Sequence, residues 1–371
     1  MDMLTILREA VEHHASDIHL AVGRAPLARI QGEIVQFEGP PLDAQGAKNM
    51  LYSLLSKDQV KAFEENMELD FCYSVPGLAR FRINIFLQKD GIAAAIRVIK
   101  GVIPGPEEIL LPREVIKLCE LPRGLILVAG PTGSGKSTTL ACMLNYINHH
   151  RRQHILTIED PIEFVYDQGH CLVTQREVGR QTHSFANALR SAMRQDPDVI
   201  LVGEMRDLET IALAMTAAET GHLVFATLHT IDAAQTVDRI VDVFPPYQQQ
   251  QIRVQLAGSL KAVICQTLLP RKDGQGRVAA REVMIVTPAI GNLIREGRTH
   301  QIYNAIDTGA SLGMIPMDRS LADLVRQGLV DMDEALAKAH DPDVVRQYSL
   351  PPGARVSAGP PETRRMTLPN R

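Results

Sequence analysis

A chain of 371 residues is too long for one ordinary hydrophobic core and predicts two domains. Its formal net charge of −4 gives no support to a general nucleic-acid binder, and no apolar run approaches the ~18 to 20 residues of a membrane span. The start Met-Asp-Met-Leu-Thr lacks the basic residues and cleavage site of a signal peptide, which points to a cytosolic protein whose five scattered cysteines are reduced and buried.

Along the chain, Leu4, Leu7 and Val11 keep helical spacing, while Asp17 to Val22 and Leu27 to Ile30 read as strands. Leu78 to Leu87 alternates, with Phe81, Ile83, Ile85 and Leu87 on one face and Arg80, Arg82 and Asn84 on the other. Its partner, Ile92 to Ile99, carries Arg97. The proline-rich stretch Val102 to Pro112 resembles an interdomain linker. Short apolar strands then alternate with helical stretches, at Leu125 to Ala129, His154 to Ile158, Val199 to Val202 and Leu223 to Thr227, which argues for a parallel sheet covered by helices. From about residue 245 helices are expected to dominate, as in Gln248 to Cys265 and Ser320 to Val330. The last residues, 350–371, are rich in proline and arginine and read as a disordered tail.

The strongest motif follows the first of these apolar strands. Gly130, Pro131, Thr132, Gly133, Ser134, Gly135, Lys136, Ser137 and Thr138 form G-x-x-x-x-G-K-S-T between a strand and a helix-compatible run, the context of a P-loop. Glycines there let backbone N–H groups approach a triphosphate, Lys136 reaches the β and γ phosphates, and Ser137 ligates Mg²⁺. Glu159, Asp160 and Glu163 crowd together after the next strand, which suits a cation or a proton-transfer role, or else a solvated acidic loop. Val199 to Val202 is followed by Glu204, the Walker B arrangement in which a carboxylate binds Mg²⁺ directly or through water. His222 and His229 bracket Leu223 to Thr227; His229 lies at the edge where phosphates sit, as a phosphate sensor or an ordinary polar residue.

With these segments assembled, the chain resembles the GspE/PilT secretion ATPase superfamily and, within it, the PilT family of type IV pilus retraction ATPases. Thr157 to Phe164 is similar to that family's Asp box, Asp196 to Asp207 to its Walker B, and Gly221 to Thr230 to its His box. The resemblance implies an α/β protein with a PAS-like N-terminal domain (1–100), a linker (101–113), and a RecA-like P-loop ATPase domain with a helical C-terminal part (114–349). It further implies a homohexameric ATPase using ATP and Mg²⁺, with Glu163 as catalytic base, Glu204 and Ser137 on Mg²⁺, and His229 sensing the γ-phosphate. Arginines of the N-terminal domain, Arg82 and Arg97 among them, are expected to reach a nucleotide bound by the neighbouring subunit. Expected partners are an inner-membrane platform protein and a second retraction ATPase, not nucleic acid, at the cytoplasmic base of the pilus machine. The alternatives are an extension or type II secretion ATPase, or a nucleotide-dependent scaffold that does not hydrolyse ATP. Retraction is favoured because the chain has no tetracysteine insertion and carries Ala289-Ile-Gly-Asn-Leu-Ile-Arg-Glu296, similar to the AIRNLIRE signature except for Gly291 in place of arginine.

Overall fold

The computed structural model describes residues 2–30, 32–99 and 101–350, so all but the first residue of the expected disordered tail (350–371) lies outside the described residues. The chain separates into two compact units: the first runs to Ile103 and takes in Pro161–Gln168, and the second comprises Pro104–Asp160 and the described chain from Gly169 on.

In the first unit, α1 (Met3–Glu12) begins where the Asp2 carboxylate accepts the Thr5 N–H at 2.8 Å, and buries Met3, Ile6, Leu7 and Ala10 at helical spacing. Strands β1 (Asp17–Leu20), β2 (Leu27–Ile30) and β3 (Glu33–Gln36) precede helices α2 (Ala44–Tyr52) and α3 (Lys57–Asn66), the latter opened by a Ser56/Gln59 capping box. Strands β4 (Glu68–Val75), β5 (Ala79–Gln88) and β6 (Gly91–Ile99) complete a six-stranded antiparallel sheet of order β3-β2-β1-β6-β5-β4, the PAS-like domain. Phe81, Ile83 and Ile85 of β5 point into its core, while Leu87 is exposed at the strand's end. On the opposite face Arg82 pairs directly with Arg97, and Arg97 with Asp17.

The second unit holds α4 (Arg113–Lys117), β7 (Gly124–Ala129), α5 (Lys136–His150), β8 (His154–Glu159), β9 (Leu172–Glu177), α6 (Phe185–Ala192), β10 (Val199–Val202), α7 (Leu208–Glu219), β11 (Leu223–Leu228), α8 (Ala233–Asp242), α9 (Pro246–Ser259), β12 (Leu260–Pro270) and β13 (Arg277–Ile285). Helices α10 (Pro288–Arg295), α11 (Ile302–Thr308), α12 (Met317–Arg326), α13 (Met332–Leu336) and α14 (Pro342–Ser349) follow. Seven strands form one sheet of order β13-β12-β7-β11-β10-β8-β9, parallel except for β13. Strands β7, β10 and β11 are buried along their whole length, which is why they read as unbroken apolar runs. The proline-rich stretch is packed at its end: Leu111 is buried and the Leu110 carbonyl accepts from Arg281 at 3.1 Å.

Two expectations are corrected. The helix expected over Gln248 to Cys265 stops at Ser259, and the chain continues as β12, whose apolar residues close the sheet against β7. Ile252, Leu256, Leu260 and Ile264 keep a four-residue spacing across that boundary, so periodicity alone hides it. Of the five cysteines, all free, Cys171 is only half-buried.

Candidate functional site

Register places the chemistry. Ala129 of β7 lies level with Leu228 of β11, Ala226 of β11 with Val202 of β10, and Val202 with Ile158 of β8. The segments that follow these strands, beginning at Gly130, His229, Gly203 and Glu159, therefore emerge together at the carboxyl edge of the sheet, where open α/β folds bind ligands. His222 lies at the opposite edge, where its carbonyl accepts the Gly124 N–H at 3.0 Å.

The loop Gly130 to Gly135 turns from β7 into α5 through glycines that other residues could not replace. A Cβ at Gly130, where φ is +145°, would be driven into the Gln266 carbonyl oxygen and within 2.6 Å of Ser134 Oγ. Gly135 caps α5 in the left-handed conformation at φ +87°. Pro131, Thr132 and Gly133 are exposed on the loop, Ser134 is buried, and Ser137 and Thr138 are half-buried in the first turn of α5. Lys136 folds back over the loop: its ammonium donates to the Gly130 carbonyl at 2.7 Å and the Pro131 carbonyl at 3.1 Å. A helix N-terminus, an ammonium drawn over the turn and a backbone stripped of Cβ atoms fit a polyphosphate chain. The buried Ser134 Oγ, which has no hydrogen-bond partner among the described residues, adds an unused polar atom to this loop.

Beside it, the turn after β10 is lashed to both neighbouring strands. Gly203 N–H donates to the Ile158 carbonyl at 2.8 Å, Thr227 Oγ1 to the Gly203 carbonyl at 2.5 Å, and Met205 N–H to the Thr227 carbonyl at 3.2 Å. Glu204 is thereby aimed between Arg206, whose Nη2 donates at 2.6 Å, and His229, whose Nε2 lies 3.0 Å away. Burial alone would raise the Glu204 pKa, but the Arg206 hydrogen bond and the nearby His229 outweigh it and hold the carboxyl below its ordinary value. Glu159 is occupied by Thr157 Oγ1 at 2.6 Å and Gln175 Nε2 at 3.2 Å, so its charge is already satisfied inside the sheet edge. One hydroxyl at Ser137 and one carboxylate at Glu204 make a donor set that suits Mg²⁺, which keeps most of its waters.

The remaining candidates fall in the first unit. Glu163 is exposed in the segment Pro161–Gln168. Arg97 is tied to Asp17 at 2.9 Å, whereas Arg82 has Asp70 only at 4.0 Å. Two residues at the carboxyl edge were missed by motif reading. Arg206 holds Glu204, and Gln266 of β12 binds the P-loop itself. For Gln266 the signal was a polar residue directly after the apolar run Ala262 to Cys265.

A parallel sheet with a glycine loop, an acid and a histidine at one edge defines a RecA-like P-loop ATPase. Residues 111–283 match the family described as type II/IV secretion system protein. The chain belongs to the PilT family of type IV pilus retraction ATPases. It is 52% identical over 343 residues to the type IV pilus retraction ATPase PilT of Pseudomonas aeruginosa, covering 92% of this chain and 99% of that protein. It is also 52% identical over 316 residues to a twitching motility protein of Neisseria gonorrhoeae, covering 85% of this chain and 84% of that one. A crystal structure of the pilus retraction motor PilT with bound ADP superposes with a TM-score of 0.87 at 47% identity, covering 92% of this chain and 98% of the other.

Proposed function

We propose that the protein is a hexameric motor that hydrolyses ATP to retract a type IV pilus, working in the cytoplasm at the inner-membrane base of the machine. An inner-membrane platform protein and a second retraction ATPase are its partners in this reading. The observation that carries it is the register that brings Gly130, Glu204 and His229 to one sheet edge, in a chain alike over nearly its whole length to a retraction ATPase.

Residues 1–100 act as the PAS-like domain, 101–113 as the linker and 114–349 as the ATPase domain. Gly130 to Thr138 cradle the phosphates, with Lys136 moving from the loop carbonyls to the β and γ oxygens. Ser137 and Glu204 hold Mg²⁺, which neutralises phosphate charge when bound. Glu163 takes the proton of the attacking water, and His229, already in contact with Glu204, reports whether the γ-phosphate is present. Arg82 and Arg97 are supplied to the nucleotide of a neighbouring subunit, where a second positive charge stabilises the loose phosphoryl-transfer transition state.

Two measurements test this. Purified protein is expected to release phosphate in the presence of Mg²⁺ and to lose that activity on Glu163→Gln; absence of any release would favour a non-hydrolysing scaffold. A deletion strain is expected to keep surface pili and lose twitching, and a strain without surface pili would point to extension instead.

A further inference from the structure

One buried side chain outside the known boxes fastens the P-loop to the neighbouring strand. Gln266 is 2% exposed, and its Nε2 donates to the Ser134 carbonyl at 2.6 Å while its Oε1 accepts from Thr139 Oγ1 at 2.9 Å. A carbonyl oxygen can only accept, so the chemistry of the partners fixes which end of the carboxamide faces which. Cys265 is level with Ala129 across the parallel β12–β7 pair, which sets Gln266 beside Gly130, the first residue of the loop. Both terminal glycines of the loop are shaped to it. A Cβ at Gly130 would strike the Gln266 backbone oxygen, and one at Gly135 would come 3.1 Å from Gln266 Nε2.

The consequence follows from peptide geometry. In a planar trans peptide the Ser134 C=O and the Gly135 N–H point in opposite directions. Drawing the carbonyl onto Gln266 therefore turns the Gly135 N–H away from β12. Backbone N–H groups are what such a loop offers to phosphate oxygens, so their direction decides how well it binds. The second arm, on Thr139, ties the same carboxamide to the first turns of α5, whose Thr139 N–H closes onto the Gly135 carbonyl at 3.0 Å. Loop and helix are thus pinned from one point on β12.

We propose that Gln266 is a positioning residue for ATP hydrolysis, latching the P-loop through Ser134 and Thr139 in its phosphate-binding shape. The proposal rests on the reading of this loop as the ATP site. The hairpin that carries the latch also reaches the His229 side of the sheet edge: Glu282 of β13, paired with Cys265, accepts the Ala233 N–H at 2.8 Å where α8 begins.

The test uses the full-length assembled protein and measures kcat and KM for ATP, affinity for a fluorescent ADP, and thermal unfolding. Gln266→Leu is expected to raise KM and weaken ADP binding by about tenfold or more, since two hydrogen bonds to buried partners are lost. Thr139→Val, which keeps shape and removes one arm, is expected to shift KM the same way by about threefold. Gln266→Glu supplies a pH signature. An ionised carboxylate cannot donate to the Ser134 carbonyl, but a protonated one can, so its KM is expected to fall toward the parent value between pH 8 and pH 6. A KM unchanged in a folded Gln266→Leu overturns the proposal, as does a lowered melting temperature with parent kinetics. Should Gln266→Leu not fold, parent kinetics in Thr139→Val overturn it. A parent protein that neither binds nor hydrolyses ATP removes the underlying reading and the latch with it.

Discussion

Lys136 and Glu204 carry the charge balance of the site, and each is held by the protein's own groups. The Lys136 ammonium donates to two loop carbonyls, at 2.7 and 3.1 Å, contacts that a charged phosphate oxygen would replace with stronger ones. Lys136→Ala is expected to abolish phosphate release, while circular dichroism and the melting temperature report a folded subunit; an unfolded variant would make the loop chiefly structural. Glu204 differs, because Arg206 and His229 already engage both of its oxygens. Glu204→Gln is expected to cut kcat by about 100-fold while leaving ADP affinity within a few-fold, as measured by steady-state kinetics and titration. The placement of these residues at one sheet edge was legible from sequence because Lys136 sits in a spaced motif and Glu204 and His229 follow apolar strands at short fixed offsets. Gln266 was not. Its contacts span 132 and 127 residues, and no local pattern announces a hydrogen bond made by tertiary packing.

Elements show the same division between local and long-range signals. Strands β7, β10 and β11 are buried on both faces and bounded by polar or glycine residues, so their apolar runs needed no tertiary knowledge. The start of β12 was absorbed into a helix whose spacing it continues, and β4, at the edge of its sheet, alternates too weakly around Glu68, Asp70 and Ser74 to stand out. Two elements make stability predictions. Glu282 is pushed up to about 7 by burial first, with Asp232 adding to the rise, against the Ala233 and Met317 N–H groups and His340, which pull it down. Because the folded form binds this proton more tightly than the unfolded chain, whose carboxyl titrates near 4.5, its contribution is complete below pH 4.5 and is lost as pH rises to 7. Glu282→Gln is therefore expected to flatten the fall in urea midpoint between pH 5 and pH 8 relative to the parent; parallel pH profiles would refute it. In α10, a Cβ at Gly291 would meet the Ala257 carbonyl oxygen at 3.6 Å, an ordinary contact with α9. Gly291→Ala is expected to stabilise the protein by about 0.5–1 kcal/mol through helix propensity, read from urea unfolding.

At the scale of the whole molecule, the question is whether one subunit's arginines serve another subunit's P-loop. The antiparallel sheet of the first unit presents Arg82 and Arg97 as direct cross-strand neighbours, a repulsive pair that a strand face does not need for packing. Asp17 offsets Arg97 at 2.9 Å, while Arg82 has its acid at 4.0 Å and is the less committed of the two. Arg82→Ala alone and Lys136→Ala alone are each expected to be nearly inactive in ATP hydrolysis. In rings mixed from equal amounts of the two, a subunit with an intact loop sits beside an intact arginine at about a quarter of random interfaces. Activity near that fraction of the parent is therefore expected if the arginine acts between subunits. An arginine acting within its own subunit predicts none, because every subunit in the mixture then carries one defect at its own site. Arg97→Ala is expected to lose less than Arg82→Ala in the same assay, since the charge it removes is already offset by Asp17 at 2.9 Å.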